Sequence, residues 1–297
     1  MLDYASLNAV GAVIREGSFE RAAKALGMTP SAISQRVRGL EERLGAILIV
    51  RGQPCLATDH GRSLCAHLDR VRLLEADLSP DLTREGARPG QPLALKVAVN
   101  ADSLATWFPQ AVADFGLGTS ATLDLTLDDE GHTADRLRSG EVLAAVTADP
   151  TPVPGCRTIP LGAISYAACA NPAFVTRCFG DGVNAGTLAK APHLRFDRRD
   201  QLQARWAAEG LGVDLAAPTH WVPSTHGFLD LAMAGLGWGM QPIALAEEHI
   251  ASGRLIELPP THRIEVKLFW TVARLSSGLL DRLTDAVRAT AAGRSDL

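Results

Sequence analysis

Residues 29–45 carry the polar side chains that are best spaced to recognise another molecule. Thr29 and Pro30 predict a helix start, because threonine caps helix N-termini and proline suits the first helical position. Apolar residues from Ile33 to Leu44, at intervals of four, three and four, give this helix one buried face. The opposite face carries Ser31, Ser34, Gln35 and Arg38. Such groups near a helix N-terminus can read base edges in the major groove of DNA, although a solvated amphipathic helix shows the same pattern.

The elements on either side of this helix favour DNA binding. Ser18 predicts the N-cap of a short preceding helix, and Gly27 and Met28 form the turn of a helix-turn-helix motif. Residues 47–57 predict a small hairpin, or wing, whose Arg51 reaches a phosphate or the minor groove unless it is only a turn residue. The candidate DNA-binding residues are therefore Ser18, Thr29, Pro30, Ser31, Ser34, Gln35, Arg36, Arg38 and Arg51.

Charge is distributed unevenly along the chain. The 297 residues have a formal net charge of −4, which by itself argues against a nucleic-acid partner. Residues 18–51, however, contain six basic side chains and three acidic ones. A locally basic segment on an acidic protein fits DNA binding by that segment alone.

A long helix and then a break follow the predicted wing. The helix begins at Thr58 or Asp59 and is predicted to reach about residue 78. Its single apolar stripe favours pairing with the same helix of a second copy, or packing against the body of its own chain. The stripe consists of Leu64, Leu68, Val71, Leu74 and Leu78. Three prolines and two glycines in residues 79–92 then predict a hinge.

Beyond the hinge, predicted strands and helices alternate, which indicates an α/β fold with two lobes. The predicted strands cover residues 93–99, 122–127, 142–146, 164–169, 193–196, 220–222 and 266–270. The predicted helices cover residues 104–115, 227–234 and 278–292, and one more ends at Ser139 before Gly140. The late strand and the last helix return the chain to the first lobe.

Several classes of protein are not expected. The sequence lacks the nucleophile-elbow, zincin and P-loop motifs, and its eight histidines are not clustered, so neither catalysis nor a metal or other cofactor is predicted. Five cysteines without a C-x-x-C pair argue against a disulfide framework, although Cys169 and Cys178 leave a redox sensor as an alternative. No apolar stretch is long enough to cross a bilayer and no signal peptide is evident, so a cytoplasmic location without membrane contact is expected.

Two groups of motifs carry a resemblance to a known family. The first is Gly17-Ser18-Phe19-Glu20-Arg21-Ala22-Ala23-Lys24-Ala25-Leu26, Thr29-Pro30-Ser31-Ala32-Ile33-Ser34-Gln35-Arg36-Val37, Leu40-Glu41 and Leu44-Gly45. It resembles the winged helix-turn-helix signature of LysR-type transcriptional regulators. The second is Val50-Arg51-Gly52-Gln53-Pro54, Val71-Arg72-Leu73-Leu74-Glu75-Ala76-Asp77-Leu78, Val99-Asn100-Ala101-Asp102-Ser103-Leu104-Ala105-Thr106-Trp107 and Leu127-Asp128-Asp129-Glu130. It is similar to the arginine- and lysine-responsive branch, which includes regulators of basic amino-acid export and inhibitors of chromosome initiation.

The resemblance covers essentially the whole chain and implies three parts. A winged helix-turn-helix domain occupies residues 1–58, a linker helix with its hinge 59–90, and a two-lobed, periplasmic-binding-protein-like effector domain 91–297. Lobe I would contain about 91–162 and 267–297, and lobe II about 163–266.

The resemblance also implies partners and a location. Two or four copies would assemble through the linker helix and the effector domain on an imperfect inverted repeat of double-stranded DNA. It further implies contact with RNA polymerase, a location at the nucleoid, and a small effector between the lobes. That effector is lysine, arginine or another small molecule.

The effector site is expected beyond the carboxyl ends of strands, close to helix N-termini. Ser103, as an N-cap or first helical residue, either holds the α-carboxylate of an amino acid or only caps its helix. The acidic residues 128–130 either pair with a lysine or arginine side chain or only favour the dipole of the next helix. The candidate effector residues are Asn100, Asp102, Ser103, Asp128, Asp129, Glu130, Asp197, Ser224 and Thr225.

Overall fold

A computed structural model describes residues 2–77, 93–127 and 132–293. Three helices open the chain, namely α1 (Tyr4–Glu16), α2 (Phe19–Leu26) and α3 (Pro30–Leu44). An antiparallel hairpin of two short strands follows, with β1 at Ile49–Val50 and β2 at Leu56–Ala57. The predicted winged helix-turn-helix fold is confirmed.

Local signals in the sequence set the ends of these helices. The side chain of Ser18 accepts a hydrogen bond from the backbone N–H of Arg21, and that of Thr29 accepts one from Ala32. Gly17 ends α1 with φ +69°, in the left-handed region that glycine adopts without strain. The predicted caps of α2 and α3 are therefore confirmed.

The linker helix α4 (Asp59–Ala76) packs in two directions, and the prediction of a single stripe is wrong in part. Leu68 is buried in the core of the helix-turn-helix domain, and Leu64 packs against the same core. Leu73, which does not belong to the predicted stripe, is 1% exposed in the core of the effector domain, whereas Leu74 is 42% exposed. Two of the five residues of the stripe thus pack in the chain's own helix-turn-helix domain. The predicted helix end near Leu78 and the predicted hinge at 79–92 lie outside the described residues.

Lobe I is built on three parallel strands and the helices between them. The strands are β3 (Ala94–Val99), β4 (Thr122–Leu127) and β5 (Ala144–Thr147), with β3 between the other two. The helices are α5 (Ala101–Ala105), α6 (Phe108–Gly116) and α7 (Thr133–Ser139). This arrangement brings the carboxyl ends of the strands to one edge of the sheet.

The predicted helix at residues 104–115 is wrong, because the chain forms two helices there. Thr106 leaves helical geometry with φ −114° and ψ −85°, and α6 begins after Trp107. Pro109 lies at the start of α6, where its missing N–H leaves no lost bond. The same proline within one continuous helix would have left the carbonyl of Ala105 without its donor.

Two long antiparallel strands, β6 (Cys156–Ala170) and β11 (Ile264–Ala273), run from lobe I into lobe II. In lobe II, β7 (His193–Arg195) pairs in parallel with β8 (Thr219–Trp221), while β9 (Gly239–Pro242) and β10 (Ile256–Glu257) flank β6. Among the described strands the main sheet has the order β10-β6-β11-β5-β3-β4, with β9 paired to β6. The helices of lobe II are α8 (Pro172–Cys178), α9 (Ala185–Leu188), α10 (Leu202–Leu211), α11 (Thr225–Met233) and α12 (Ile243–Ala251).

The last helix, α13 (Gly278–Ala292), returns to lobe I and packs against α6. Its Thr284 hydroxyl accepts a hydrogen bond from the buried indole of Trp270 at 3.1 Å. The predicted α/β fold with return of the chain is therefore confirmed. Within the ranges given above, no helix combines the length and the apolar composition needed to cross a bilayer.

Candidate functional site

The N-terminal half of α3 presents the predicted base-reading side chains at the surface. Ser31, Gln35 and Arg38 are exposed and Ser34 is half-buried, while Ile33 on the opposite face is fully buried. Amphipathic spacing explains this division, since the apolar positions of α3 supply the core of the small domain. The arrangement leaves hydroxyl, amide and guanidinium groups free to approach a double helix.

The remaining DNA-binding candidates surround that face. Thr29, Pro30 and Arg36 are exposed, and Ser18 is half-buried with its hydroxyl engaged as the cap of α2. Arg51 in the wing is exposed, with its guanidinium carbon 5.2 Å from the centre of the Phe19 ring. That contact places the wing cation beside the start of α2. The roles of these residues in DNA binding stay predictions.

A carboxylate joins the two lobes at the second candidate site. Asp102 in α5 accepts a hydrogen bond from the Thr225 hydroxyl of lobe II at 2.7 Å and another from the Tyr166 hydroxyl of β6 at 2.6 Å. Burial raises the pKa of the Asp102 carboxyl, the two hydrogen bonds oppose that rise, and the charge of Asp200 adds to it. Thr225 was predicted at this site, whereas Tyr166 was missed because it lies in the middle of a buried strand.

The predicted role of Ser103 as a helix cap is wrong. Asn100 is the N-cap of α5, and its side chain accepts the backbone N–H of Ser103 at 3.0 Å. Ser103 is instead the third helical residue, fully buried, and its hydroxyl has no hydrogen-bond partner among the described residues. That backbone N–H is therefore engaged, while the hydroxyl remains a polar group in need of a partner.

Two further candidates in lobe II hold local structure together. The Asp197 carboxylate accepts the backbone N–H groups of Arg199 and Asp200 at 2.7 and 3.0 Å, so it forms a turn. The Ser224 hydroxyl accepts the N–H of Gly227 at 3.2 Å as the N-cap of α11. Asp200 was missed by the sequence reasoning, which chose the first acidic residue after β7. The acidic candidates Asp128, Asp129 and Glu130 lie outside the described residues.

The cysteines do not resemble a redox centre. Burial raises the pKa of the Cys169 thiol to about 12, so the nucleophilic thiolate is scarce at neutral pH. Cys178 is half-buried in α8. Over residues 2–77, 93–127 and 132–293, no group of three or more histidine, cysteine or acidic side chains could hold a metal ion.

Comparison with known proteins places the chain in one family. The profile of the bacterial regulatory helix-turn-helix protein, lysR family, matches residues 5–62, and that of the LysR substrate binding domain matches residues 90–292. The transcriptional regulator ArgP of Pseudomonas fluorescens is 45% identical over 295 residues, 98% of each chain.

Two solved structures are similar over nearly the whole chain. ArgP from Mycobacterium tuberculosis is 41% identical, with a TM-score of 0.81 over 99% of this chain and 98% of that one. Full-length LysG from Corynebacterium glutamicum with bound effector arginine is 37% identical, with a TM-score of 0.70 over 98% and 99%. The predicted family and its ArgP and LysG branch are confirmed. The chain therefore belongs to the LysR family of bacterial helix-turn-helix transcriptional regulators, which are not enzymes.

Proposed function

We propose that this protein is a transcriptional regulator that binds double-stranded DNA through α3 and the wing. Its regulatory activity would respond to a basic amino acid bound between the two lobes. The observation that carries the second half is the Asp102 carboxylate, which is hydrogen-bonded to Thr225 across the cleft. A half-buried anion whose charged form is disfavoured by its surroundings gains most from a cationic ligand.

The DNA half of the proposal rests on the exposed face of α3. Gln35 and Arg38 are the side chains with the geometry for bidentate contacts to bases, while Arg36 and Arg51 suit phosphates. Members of this family bind DNA through the helix-turn-helix domain and assemble as oligomers. In a dimer, two α3 helices about 34 Å apart would enter successive major grooves, so the target is an imperfect inverted repeat.

The amino acid is proposed to bind through its charged groups. Asp102 would take the α-ammonium group, and the buried hydroxyl of Ser103 and the first N–H groups of α11 at Thr225 would receive the α-carboxylate. The similar LysG structure holds arginine as its effector, which supports an amino acid of the same class. The turns that carry these groups would be stabilised by Asn100, Asp197 and Ser224, which would not contact the ligand themselves.

The same proposal covers the domain boundaries and the partners. We propose that the domains end at residues 58 and 90, that the protein assembles as a dimer or a tetramer, and that it contacts RNA polymerase. A DNA-binding regulator works where the chromosome is, so the proposed location is the cytoplasm, at the nucleoid.

Titration calorimetry and footprinting test the proposal together. Arginine or lysine is expected to bind the full-length protein and to change its footprint on the inverted repeat. The Asp102→Asn variant should weaken that binding about 10- to 150-fold, the range for losing a charged hydrogen-bond partner. Asp230→Asn, which removes an exposed charge from α11, is the matched control and should change nothing. Wild-type protein with the same footprint and no heat of binding for either amino acid would refute the effector assignment.

A further inference from the structure

The loop that follows β7 carries a second carboxylate that faces the same region as Asp102. Asp200 accepts the backbone N–H of Phe196 at 2.9 Å, that of Leu202 at 3.0 Å and the amide of Gln203 at 3.2 Å. These bonds hold the carboxylate in place at the start of α10. The position of the carboxylate is therefore fixed before any ligand arrives.

Strand pairing brings this loop next to the residue that contacts Asp102. The parallel strands β7 and β8 end side by side, with Arg195 opposite Trp221. The backbone carbonyl of Arg195 accepts the N–H of Val222 at 2.8 Å, and the chain reaches Thr225 three residues later. Because Thr225 donates to Asp102, the two carboxylates approach the cleft from opposite lobes.

The approach is close enough to have an electrostatic effect. The negative charge of Asp200 raises the pKa of Asp102, as expected for like charges that share a poorly solvated region. Among the described residues, no cation is one of the groups that shift the pKa of Asp102. Arg195 stacks on the Trp221 ring at 5.1 Å and donates to the backbone carbonyl of Asp200. Burial lowers the pKa of His193 to about 4, so that ring is uncharged at neutral pH.

One buried acceptor next to the Asp200 carboxylate also lacks a donor. The Gln203 side-chain carbonyl, in a residue 1% exposed, has no hydrogen-bond partner among the described residues, although its amide nitrogen contacts Asp200. A lysine ammonium supplies three N–H donors and a guanidinium five, so either group supplies the donor that this carbonyl lacks.

We infer that Asp200, with the carbonyl of Gln203, receives the cationic side-chain end of the effector and so selects basic over neutral amino acids. The inference rests on the proposed function, in which Asp102 receives the α-ammonium group. Two carboxylates and one helix N-terminus then match the two positive charges and one negative charge of lysine or arginine. A cation near Asp200 would also relieve its repulsion of Asp102 across the cleft, which favours closure of the lobes.

Ligand pairs that differ only in charge test this assignment. Arginine with citrulline, and lysine with norleucine, are titrated into full-length wild type and variants, with binding followed by calorimetry. Wild type should prefer the charged member of each pair. Asp200→Asn should weaken arginine and lysine about 10- to 100-fold and leave citrulline and norleucine within about threefold, because only the charged contact is lost. The matched control Asp230→Asn removes an exposed charge from α11 in the same lobe and should keep the wild-type preference.

The outcomes separate the inference from the proposed function. The role of Asp200 would be overturned if Asp200→Asn kept the preference for charged over neutral ligands, or if it lost affinity for both kinds equally. It would also be overturned if Asp129→Asn, and not Asp200→Asn, removed that preference. Wild type that binds none of the four ligands would overturn the proposed function itself. Should Asp200→Asn fail to fold, Gln203→Met replaces it. This variant removes the unpartnered carbonyl and keeps a side chain of similar size. A loss of affinity for arginine and lysine alone would support the inference, whereas an equal loss for all four ligands, or no loss, would reject it.

Discussion

His193 should make the stability of the effector domain depend on pH in a defined direction. The side chain is 3% exposed on β7, with its ring centre 5.9 Å from that of Trp238. Burial is the main cause that lowers its pKa from 6.5 to about 4, and the positive charge of Arg195 contributes. The folded domain therefore binds fewer protons than the unfolded chain between these two values.

The size of the effect follows from proton linkage. A base whose pKa falls on folding contributes its full stability above pH 6.5 and loses it as the pH drops towards 4. For the two pKa values given, the free energy of unfolding at pH 5 should be about 2 kcal/mol lower than at pH 7.5. Below pH 4 the loss from this histidine should level off at about 3 kcal/mol.

Urea unfolding of the full-length protein at fixed concentration measures this difference. All five tryptophans lie between residues 107 and 270, so fluorescence reports on the effector domain alone. Phenylalanine has no titrating group, so in His193→Phe the drop in the free energy of unfolding between pH 7.5 and pH 5 should be about 2 kcal/mol smaller than in wild type. His226→Phe, at an exposed position of the same lobe, is the control. If wild type and His193→Phe lose stability in parallel as the pH falls, the buried histidine is not the cause and the argument fails.

Three further predictions concern the DNA face, the linker and the thiols. Gln35→Ala should make the free energy of specific DNA binding less favourable by about 1–3 kcal/mol and relax the preference for particular bases. Arg36→Ala should lower the affinity for all DNA sequences alike and reduce the slope of log affinity against log salt concentration by about one, as gel-shift titrations would measure. Leu73→Ala should destabilise the effector domain by about 2–5 kcal/mol in urea, whereas the exposed Leu74→Ala should stay within about 0.5 kcal/mol. If sedimentation shows that Leu74→Ala also leaves self-association unchanged, the predicted helix pairing loses its support. Cys169 should resist iodoacetamide at pH 8 in native protein and react after denaturation, as mass spectrometry would show.

The elements that the sequence predicted best are those fixed by local chemistry. Ser18 and Thr29 cap helices by bonding to N–H groups three residues away, so their role does not depend on the rest of the fold. The strand at 122–127 and the helix at 278–292 were predicted with the bounds that the structure has. Patterning over a short window was sufficient in each case because the apolar residues share one face, which is buried in the helix and half-buried at Leu123 and Leu125 in the strand.

The errors arose where a local signal was outweighed or a distant partner decided the outcome. Pro109 was visible in the sequence, but the apolar spacing around it favoured one continuous helix over the two that form. Asp197 and Asp200 are equally good candidates by sequence, and only the loop conformation shows that Asp197 closes a turn. Tyr166 could not be assigned, since its partner Asp102 is 64 residues away in a different element.

The contacts of α4 show how an event at Asp102 can reach the DNA-binding domain. Lys96 in β3, the strand that leads into α5, donates to Asp69 of α4 at 2.9 Å. Burial lowers the pKa of Lys96, but the hydrogen bond and the charge of Asp69 outweigh burial, so that the pKa is raised. Arg72, one turn further along α4, donates to Asn8 in α1. The strand that positions Asp102, the linker helix and the first helix of the DNA-binding domain are thus joined by direct polar contacts. If the amino acid binds at Asp102, as proposed, it alters DNA affinity only to the extent that it prefers one arrangement of these contacts over another. A variant that breaks the Lys96–Asp69 pair should therefore change the coupling between effector and DNA more than it changes the affinity for either ligand alone.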